Sequence, residues 1–167
     1  MRSLMRVLQF VTIICVALVF GLTLTHVLQA PGSRALTGAE WLTVQNTFYG
    51  GFATVGGTCE VLGAVSAGAL AVLSVLSGKR RDALIAGIVC LCLIGTLIVF
   101  FVGNLPVNAR VAVWSPDTLP ADWRDYRNTW ETSHAISTLL SGIGFLVLTG
   151  SLVWSRKRAA AGSHHAR

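Results

Sequence analysis

Three titratable side chains stand in three separate apolar stretches of this chain: His26, Glu60 and His134. Ionisable groups are costly in an apolar, membrane-like setting and usually face a partner or a cavity, so they are candidates for function. A neutral histidine can act as a general base near neutral pH, and a carboxylate can orient it. Two histidines with one carboxylate are also the ligand set of many non-haem iron sites.

The composition indicates that the elements carrying these residues cross a membrane. The chain has 167 residues, of which 53% are hydrophobic and 12% charged, whereas about 25% of a soluble domain is charged. Four stretches each supply the roughly 20 apolar residues that a spanning helix needs. We therefore predict an all-α fold, an integral membrane antiparallel four-helix bundle with an ordered outer loop between its third and fourth helices.

The predicted helices lie at about residues 7–28, 43–76, 83–102 and 129–154 of a single domain, 1–158, with a disordered cytoplasmic tail at 159–167. The first apolar run follows Arg2 and Arg6, as a signal peptide would. At about 21 residues it is longer than a typical signal core of about 7–15, and Leu28-Gln29-Ala30 is a poor cleavage site. We interpret it as a permanent helix.

Basic residues predict the orientation of the bundle. Arg2 and Arg6 precede the first helix, residues 79–81 join the second to the third, and residues 156–158 follow the fourth. Because short cytoplasmic flanks are enriched in Lys and Arg, we expect a multi-pass protein of the cytoplasmic membrane with both termini cytoplasmic. The net charge of +6 is then attracted to membrane lipid headgroups rather than to nucleic acid.

Counting along the helices places the three titratable residues at one depth. At 1.5 Å per residue from the cytoplasmic ends, His26 lies about 28 Å out, Glu60 about 24 Å and His134 about 30 Å. Because antiparallel bundles build sites from facing helices, we expect a shared pocket in the outer leaflet.

Two further regions border this level. Gln45 and Tyr49 precede a glycine-rich stretch of helix two, whose small residues favour close helix packing or close approach of a flat ligand. After helix three, we expect Asn104, Pro106 and Asn108 to end the helix and to leave amides near the pocket. Tryptophans in the following loop are typical of a membrane interface.

The residues around this loop carry a resemblance to a known family. The pattern N-x-P-x-N, followed by D-W and R-x-x-W-E-x-x-H, resembles the anthrone oxygenase-like family of small four-helix membrane proteins. The segments T-H-V-L-Q-A-P-G and G-A-E-W-L-x-V-Q are similar to bacterial members, and the resemblance spans about residues 7–154. The matching residues of the first pattern are Asn104, Pro106, Asn108, Trp123, Arg127, Trp130, Glu131 and His134.

The resemblance implies an enzyme that uses O2, without an organic cofactor, to oxidise a lipophilic aromatic or polyketide-like small molecule. It carries His134 and Asn108 over as site residues, whereas His26 and Glu60 enter from the depth argument. From the chemistry of an anthrone we expect His134 to act as base, Glu131 or Glu60 to orient it, and Asn108 to donate a hydrogen bond to the developing enolate oxygen. The candidate substrate-binding residues are Asn104, Trp123, Trp130, Tyr49, Gln45 and Arg127.

Three alternatives stay open at the level of sequence. The first is a non-catalytic membrane protein that binds a lipophilic ligand or serves as a partner subunit. The second is a non-haem metal held by His26, Glu60 and His134, although no H-x-x-x-H or E-x-x-H spacing supports it. The third is assembly into an oligomer.

Overall fold

The computed structural model describes the backbone of residues 1–164 and the side chains of residues 1–154. Its elements are α1 (Arg2–Ser33), α2 (Gly38–Phe48), α3 (Gly50–Leu76), α4 (Arg80–Val99), a π-helical turn (Phe100–Asn104), α5 (Leu105–Val111), a 3-10 turn (Pro116–Thr118) and α6 (Trp123–His164). The described residues contain no strand, and the predicted all-α fold is confirmed.

Four helical stretches are long and apolar enough to cross a membrane: Arg2–Ser33, Gly50–Leu76, Arg80–Val111 and Trp123–Trp154. Helices α1 and α4 each pack against both α3 and α6, so the four spans form a ring in which α1 and α4 are diagonal. The short helix α2 lies over one end of this ring, beside α5, which is the last part of the third span. The chain is thus a membrane-spanning four-helix bundle.

Small and polar residues hold the spans together, because lipid provides no hydrophobic force between helices. A Cβ atom at Gly63 would lie 2.8 Å from Leu93 Cδ1 and 3.0 Å from Cys15 Cβ, so this glycine lets α1, α3 and α4 approach closely. Thr12 and Ser66 share a hydrogen bond of 2.9 Å between α1 and α3.

The structure divides the predicted second helix, 43–76, into α2 and α3. Helix α2 already begins at Gly38, where the side chains of Thr37 and Glu40 form a reciprocal capping box. These hydrogen bonds lower the pKa of the exposed Glu40 carboxyl. Tyr49 separates the two helices at φ −97° and ψ −3°, just before Gly50 and Gly51, which favour a break because glycine is a poor helix former.

The sequence predicted that the third span ends at Asn104, Pro106 and Asn108, and this prediction is wrong. The span continues through the π-helical turn and α5 to Val111. Proline is tolerated in the first turn of a helix, and Pro106 occupies that position in α5. In the π-helical turn the Leu105 N–H bonds to the Phe100 carbonyl, which widens the helix just before the proline.

The first and the fourth spans are longer than predicted. Helix α1 covers Arg2–Ser33 with Pro31 inside its last turn, and α6 begins at Trp123 rather than at 129. The predicted disordered tail, 159–167, overlaps the end of α6 at His164, and its last three residues lie outside the described residues. Disorder there stays a prediction.

Candidate active site

A cavity of about 250 Å³ opens between the spans, at the end of the bundle where α2 and α5 lie. Its volume is just below the range of roughly 300–1,000 Å³ that is usual for small-molecule sites. Eight of the residues singled out from the sequence line it: His26, Gln45, Tyr49, Glu60, Asn104, Asn108, Trp130 and His134. The cavity therefore suits one compact organic molecule.

The two histidines form the centre of an aromatic cluster. The rings of His26 on α1 and His134 on α6 lie edge to face with centroids 4.2 Å apart. Trp130 contacts both, at 4.7 Å from His26 and 4.1 Å from His134, and Tyr49 lies 4.8 Å from His26. Such ring contacts stabilise the cluster and fix the orientation of each imidazole.

The hydrogen bonds of His134 define which ring nitrogen is free. Its Nδ1 lies 2.9 Å from the Trp130 backbone carbonyl and 2.8 Å from the Asn104 amide group. Asn104 Nδ2 donates to the same carbonyl at 3.3 Å. Because a carbonyl oxygen only accepts, we assign the proton of His134 to Nδ1, which donates it to Trp130. Nε2 is then the unprotonated nitrogen of an imidazole that lines the cavity.

Asn108 has its orientation fixed by a second contact. The Trp130 indole Nε1 donates to Asn108 Oδ1 at 3.1 Å. Since an indole N–H can only donate, the oxygen of the Asn108 amide must face it. The Asn108 NH2 group is left to donate to a ligand, and Asn108 lies in the cavity wall.

Glu60 lies in the same cavity wall as the histidines but does not orient them. It is 7% exposed and interacts with the Thr96 hydroxyl on α4. In the part of the chain with described side chains, Glu60 makes no hydrogen bond to either histidine. The Glu60 carboxyl group is thus a polar group of the cavity wall that is not hydrogen-bonded to the two histidines.

Glu131, the other candidate partner of His134, points elsewhere. Its Oε2 accepts from Arg34 Nε at 2.9 Å, an ion pair in which the Glu131 side chain is 4% exposed and that of Arg34 63%. The spacing of three residues placed Glu131 and His134 on one face, but α1 extends far enough to bring Arg34 to Glu131. The orienting group of His134 is Asn104 with the Trp130 carbonyl, not Glu131.

Two predicted substrate-binding residues also lie outside the cavity lining. The Arg127 guanidinium lies 5.0 Å from the centroid of the Trp123 ring and donates to the Ser33 carbonyl at 3.4 Å. Trp123 in turn packs against Trp41 at 5.7 Å. This cluster fastens α2 and the start of α6 over the end of α1.

Sequence reasoning missed two aromatic members of the lining, Phe52 and Phe100. The signal for Phe52 was present, because Gln45, Tyr49, Phe52, Gly56 and Glu60 recur at helical spacing and all line the cavity. The break at Tyr49 preserves this face. Phe100 precedes Asn104 by four residues, which is one helical turn.

The glycine-rich stretch contributes both to helix packing and to the cavity wall. Gly63 permits helix packing, whereas Gly56 and Gly57 lie in the cavity wall. A Cβ atom at Gly57 would meet no other group within 4 Å. The wall of the cavity is therefore backbone at this point, and a flat ligand can approach it.

The donor set does not form a metal centre. Among the residues whose side chains are described, no group of three or more His, Cys, Asp and Glu is close enough to hold a metal ion. His26 and His134 meet ring edge to ring face, and Glu60 turns to Thr96. The described residues thus do not fit the iron site that was left open.

Fold and cavity together define a class: a four-span membrane protein with a histidine-centred aromatic site near one end of the bundle. The family model described as anthrone oxygenase matches residues 45–147, which is more than half of the chain. The chain belongs to the anthrone oxygenase family, as its motifs suggested. No curated protein and no solved structure matches it.

Proposed function

We propose that this protein is a membrane-embedded enzyme that oxidises a lipophilic aromatic small molecule with O2, by removing a proton from an acidic ring methylene such as that of an anthrone. The observation that carries the proposal is the arrangement of His134, whose Nδ1–H is held by the protein while its ring lines the cavity. A neutral imidazole held in one tautomer is a suitable general base.

The first step is proton transfer to His134 Nε2. Removing the methylene proton leaves an aromatic enolate whose negative charge develops on the ring oxygen. Asn108 donates an N–H to that oxygen, because its amide is already oriented by Trp130. Donors that are held in place before reaction stabilise developing charge at little reorganisation cost.

The second stage is oxidation of the enolate by O2. One electron passes to O2, the resulting radical and superoxide combine at the former methylene carbon, and the protonated hydroperoxide loses water. The sum is R2CH2 + O2 → R2C=O + H2O, with one oxygen atom in the product and one in water. His134 returns its proton to the peroxide anion, which regenerates the residue. The hydroperoxide then loses the second methylene hydrogen together with the departing hydroxide, as water.

The rest of the lining would hold the ring system. Tyr49, Phe52 and Phe100 present aromatic surface, and the Gly56–Gly57 backbone leaves room for a flat molecule. Tyr49 Oη donates to Gln29 at 2.9 Å, and burial together with the charge of Glu131 raises the pKa of its phenol. The Tyr49 phenol therefore stays neutral, and its ring forms part of the cavity wall.

We also propose that the cavity lies at the outer side of the cytoplasmic membrane, with both termini in the cytoplasm. The basic residues at 2, 6 and 79–81 support this orientation. A membrane-impermeant thiol reagent applied to intact cells should label Asp117→Cys and spare Lys79→Cys. Labelling of Lys79→Cys alone would reverse the orientation.

The enzyme assignment is tested by turnover of anthrone. We expect the purified protein to convert anthrone to anthraquinone with one O2 consumed per product. His134→Ala should lower the rate by about 10² to 10⁴, the usual contribution of a general base. The matched control is Leu139→Ala, which removes an exposed side chain from the same helix and should keep the rate. Tight binding without any product would favour the non-catalytic binding alternative.

A further inference from the structure

A second cavity, of about 270 Å³, lies at the opposite end of the bundle from the candidate active site. All four spans contribute to its walls. Arg2, Arg6 and Lys79 supply positive charge, whereas Leu70, Ile85, Ala86 and Leu148 supply apolar surface. The lining is therefore amphipathic, cationic on one part and apolar on another.

Among the side chains that the structure describes, none forms an ion pair with the positive charges of this cavity. The ion pair present among the described side chains joins Arg34 to Glu131 at the other end of the molecule. Asp82 also lines the cavity but makes no ion pair there, so in the described lining three positive charges face one negative charge. Like charges around one cavity repel each other unless an anion lies between them.

Ser74 points independently to a ligand. Its side chain is 0% exposed and lines this cavity, and its Oγ has no hydrogen-bond partner among the residues with described side chains. Other buried serines of the spans bond to their own helix, as Ser66 does to Gly63 and Ser141 to Ser137. A buried hydroxyl without a partner is costly, so Ser74 has a donor to offer to a bound group.

The N-termini of α1 and α4 also lie at this second cavity. Helix α1 begins at Arg2 and α4 at Arg80, and neither has a side-chain hydrogen bond capping it. The first N–H groups of a helix lack intrahelical partners and favour anions. They reinforce the field of the three cations.

We propose that this cavity binds a phosphate group, as a monoester or diester, in the headgroup of an anionic phospholipid. The cations lie at the ends of the spans, level with lipid headgroups, and the apolar part of the lining accepts the first carbons of an acyl chain. The Ser74 hydroxyl donates to a phosphate oxygen. Free inorganic phosphate offers the same oxygens without the apolar part.

The test compares two charge-matched double variants of the full chain in detergent. The probe is phosphatidylglycerol, with retention measured by native mass spectrometry. Arg6→Gln with Lys79→Gln should weaken retention by about tenfold or more, because charge-assisted hydrogen bonds to phosphate are lost. Arg80→Gln with Arg81→Gln removes the same charge from the same end, outside the cavity lining, and should retain the lipid.

Ser74→Ala changes no charge and gives a second, milder readout. It should weaken retention severalfold, while helicity by circular dichroism stays at the wild-type level. A parallel arm measures displacement of the lipid by inorganic phosphate: displacement identifies free phosphate as a ligand, and its absence identifies the lipid headgroup. Equal loss in both double variants, or loss in neither, would overturn the proposal.

Discussion

Near His134 each polar group has a role that its chemistry determines. The Trp130 carbonyl only accepts, so we assign the proton of His134 to Nδ1; the Trp130 indole only donates, so Asn108 must face it with its oxygen. One tryptophan thereby orients both the proposed base and the proposed oxyanion donor. Trp130 is therefore a positioning residue for both His134 and Asn108.

This double role predicts the effect of Trp130→Phe. The smaller ring keeps aromatic contact with His26 and His134 and leaves the backbone carbonyl in place, but it removes the N–H that holds Asn108. We expect kcat for anthrone to fall by about tenfold with little change in KM, because the lost interaction acts on developing charge. Steady-state kinetics measure this split. A rise in KM at unchanged kcat would show that Trp130 only binds substrate.

The residue types were readable from the sequence, but their partners were not. His134 and Asn108 follow from the N-x-P-x-N and W-E-x-x-H motifs, and His26 and Glu60 from their cost inside an apolar segment. Glu131 was expected to orient His134 because the two are three residues apart. Its partnership with Arg34 depends on where α1 ends, 97 residues earlier, which local spacing does not contain.

At the scale of elements, the π-helical turn sets the register of the third span. It lies at Phe100–Asn104, and wide turns of this kind occur often at functional sites. Phe100, Asn104 and Asn108 follow at intervals of four and all line the cavity. The turn is pressed against α6 at Gly103, where a Cβ atom would lie 3.0 Å from Ser133 Cβ.

Gly103→Ala should therefore disturb the site through the helix that carries it. The added methyl group pushes the turn from α6 and draws Asn104 away from His134, at a cost of about 1–3 kcal/mol for overpacking. We expect lower thermal stability and lower turnover. Gly87→Ala is the control, since a Cβ atom there meets nothing within 4 Å, and it should leave both at or above the wild-type level. Equal behaviour of the two variants would argue against a close fit at Gly103.

Helix existence was predictable from the sequence, whereas helix breaks were not. Apolar runs of sufficient length predicted all four spans. The separation of α2 from α3 depends on the Thr37 capping box and on Gly50–Gly51, and the passage through Pro106 depends on a rare wide turn. Length and hydropathy carry no information on either feature.

At the scale of the whole molecule, the bundle keeps two unlike cavities at its two ends. One is aromatic and centred on His26 and His134; the other is cationic around Arg2, Arg6 and Lys79. Counting residues along the spans predicted one level for His26, Glu60 and His134, and all three line one cavity. It could not indicate which faces converge, because the rotation of each helix depends on contacts such as those of Gly63 with α1 and α4.

His134 is proposed to remove the methylene proton of the substrate, and hydrogen exchange measures this step without oxygen. Purified protein is incubated anaerobically with anthrone in D2O, and deuterium at the ring methylene is followed by NMR above the uncatalysed background. Wild-type protein should accelerate exchange, and His134→Ala should reduce that acceleration by about 10² or more. Equal acceleration by both proteins, or turnover under O2 without anaerobic exchange, would contradict the account.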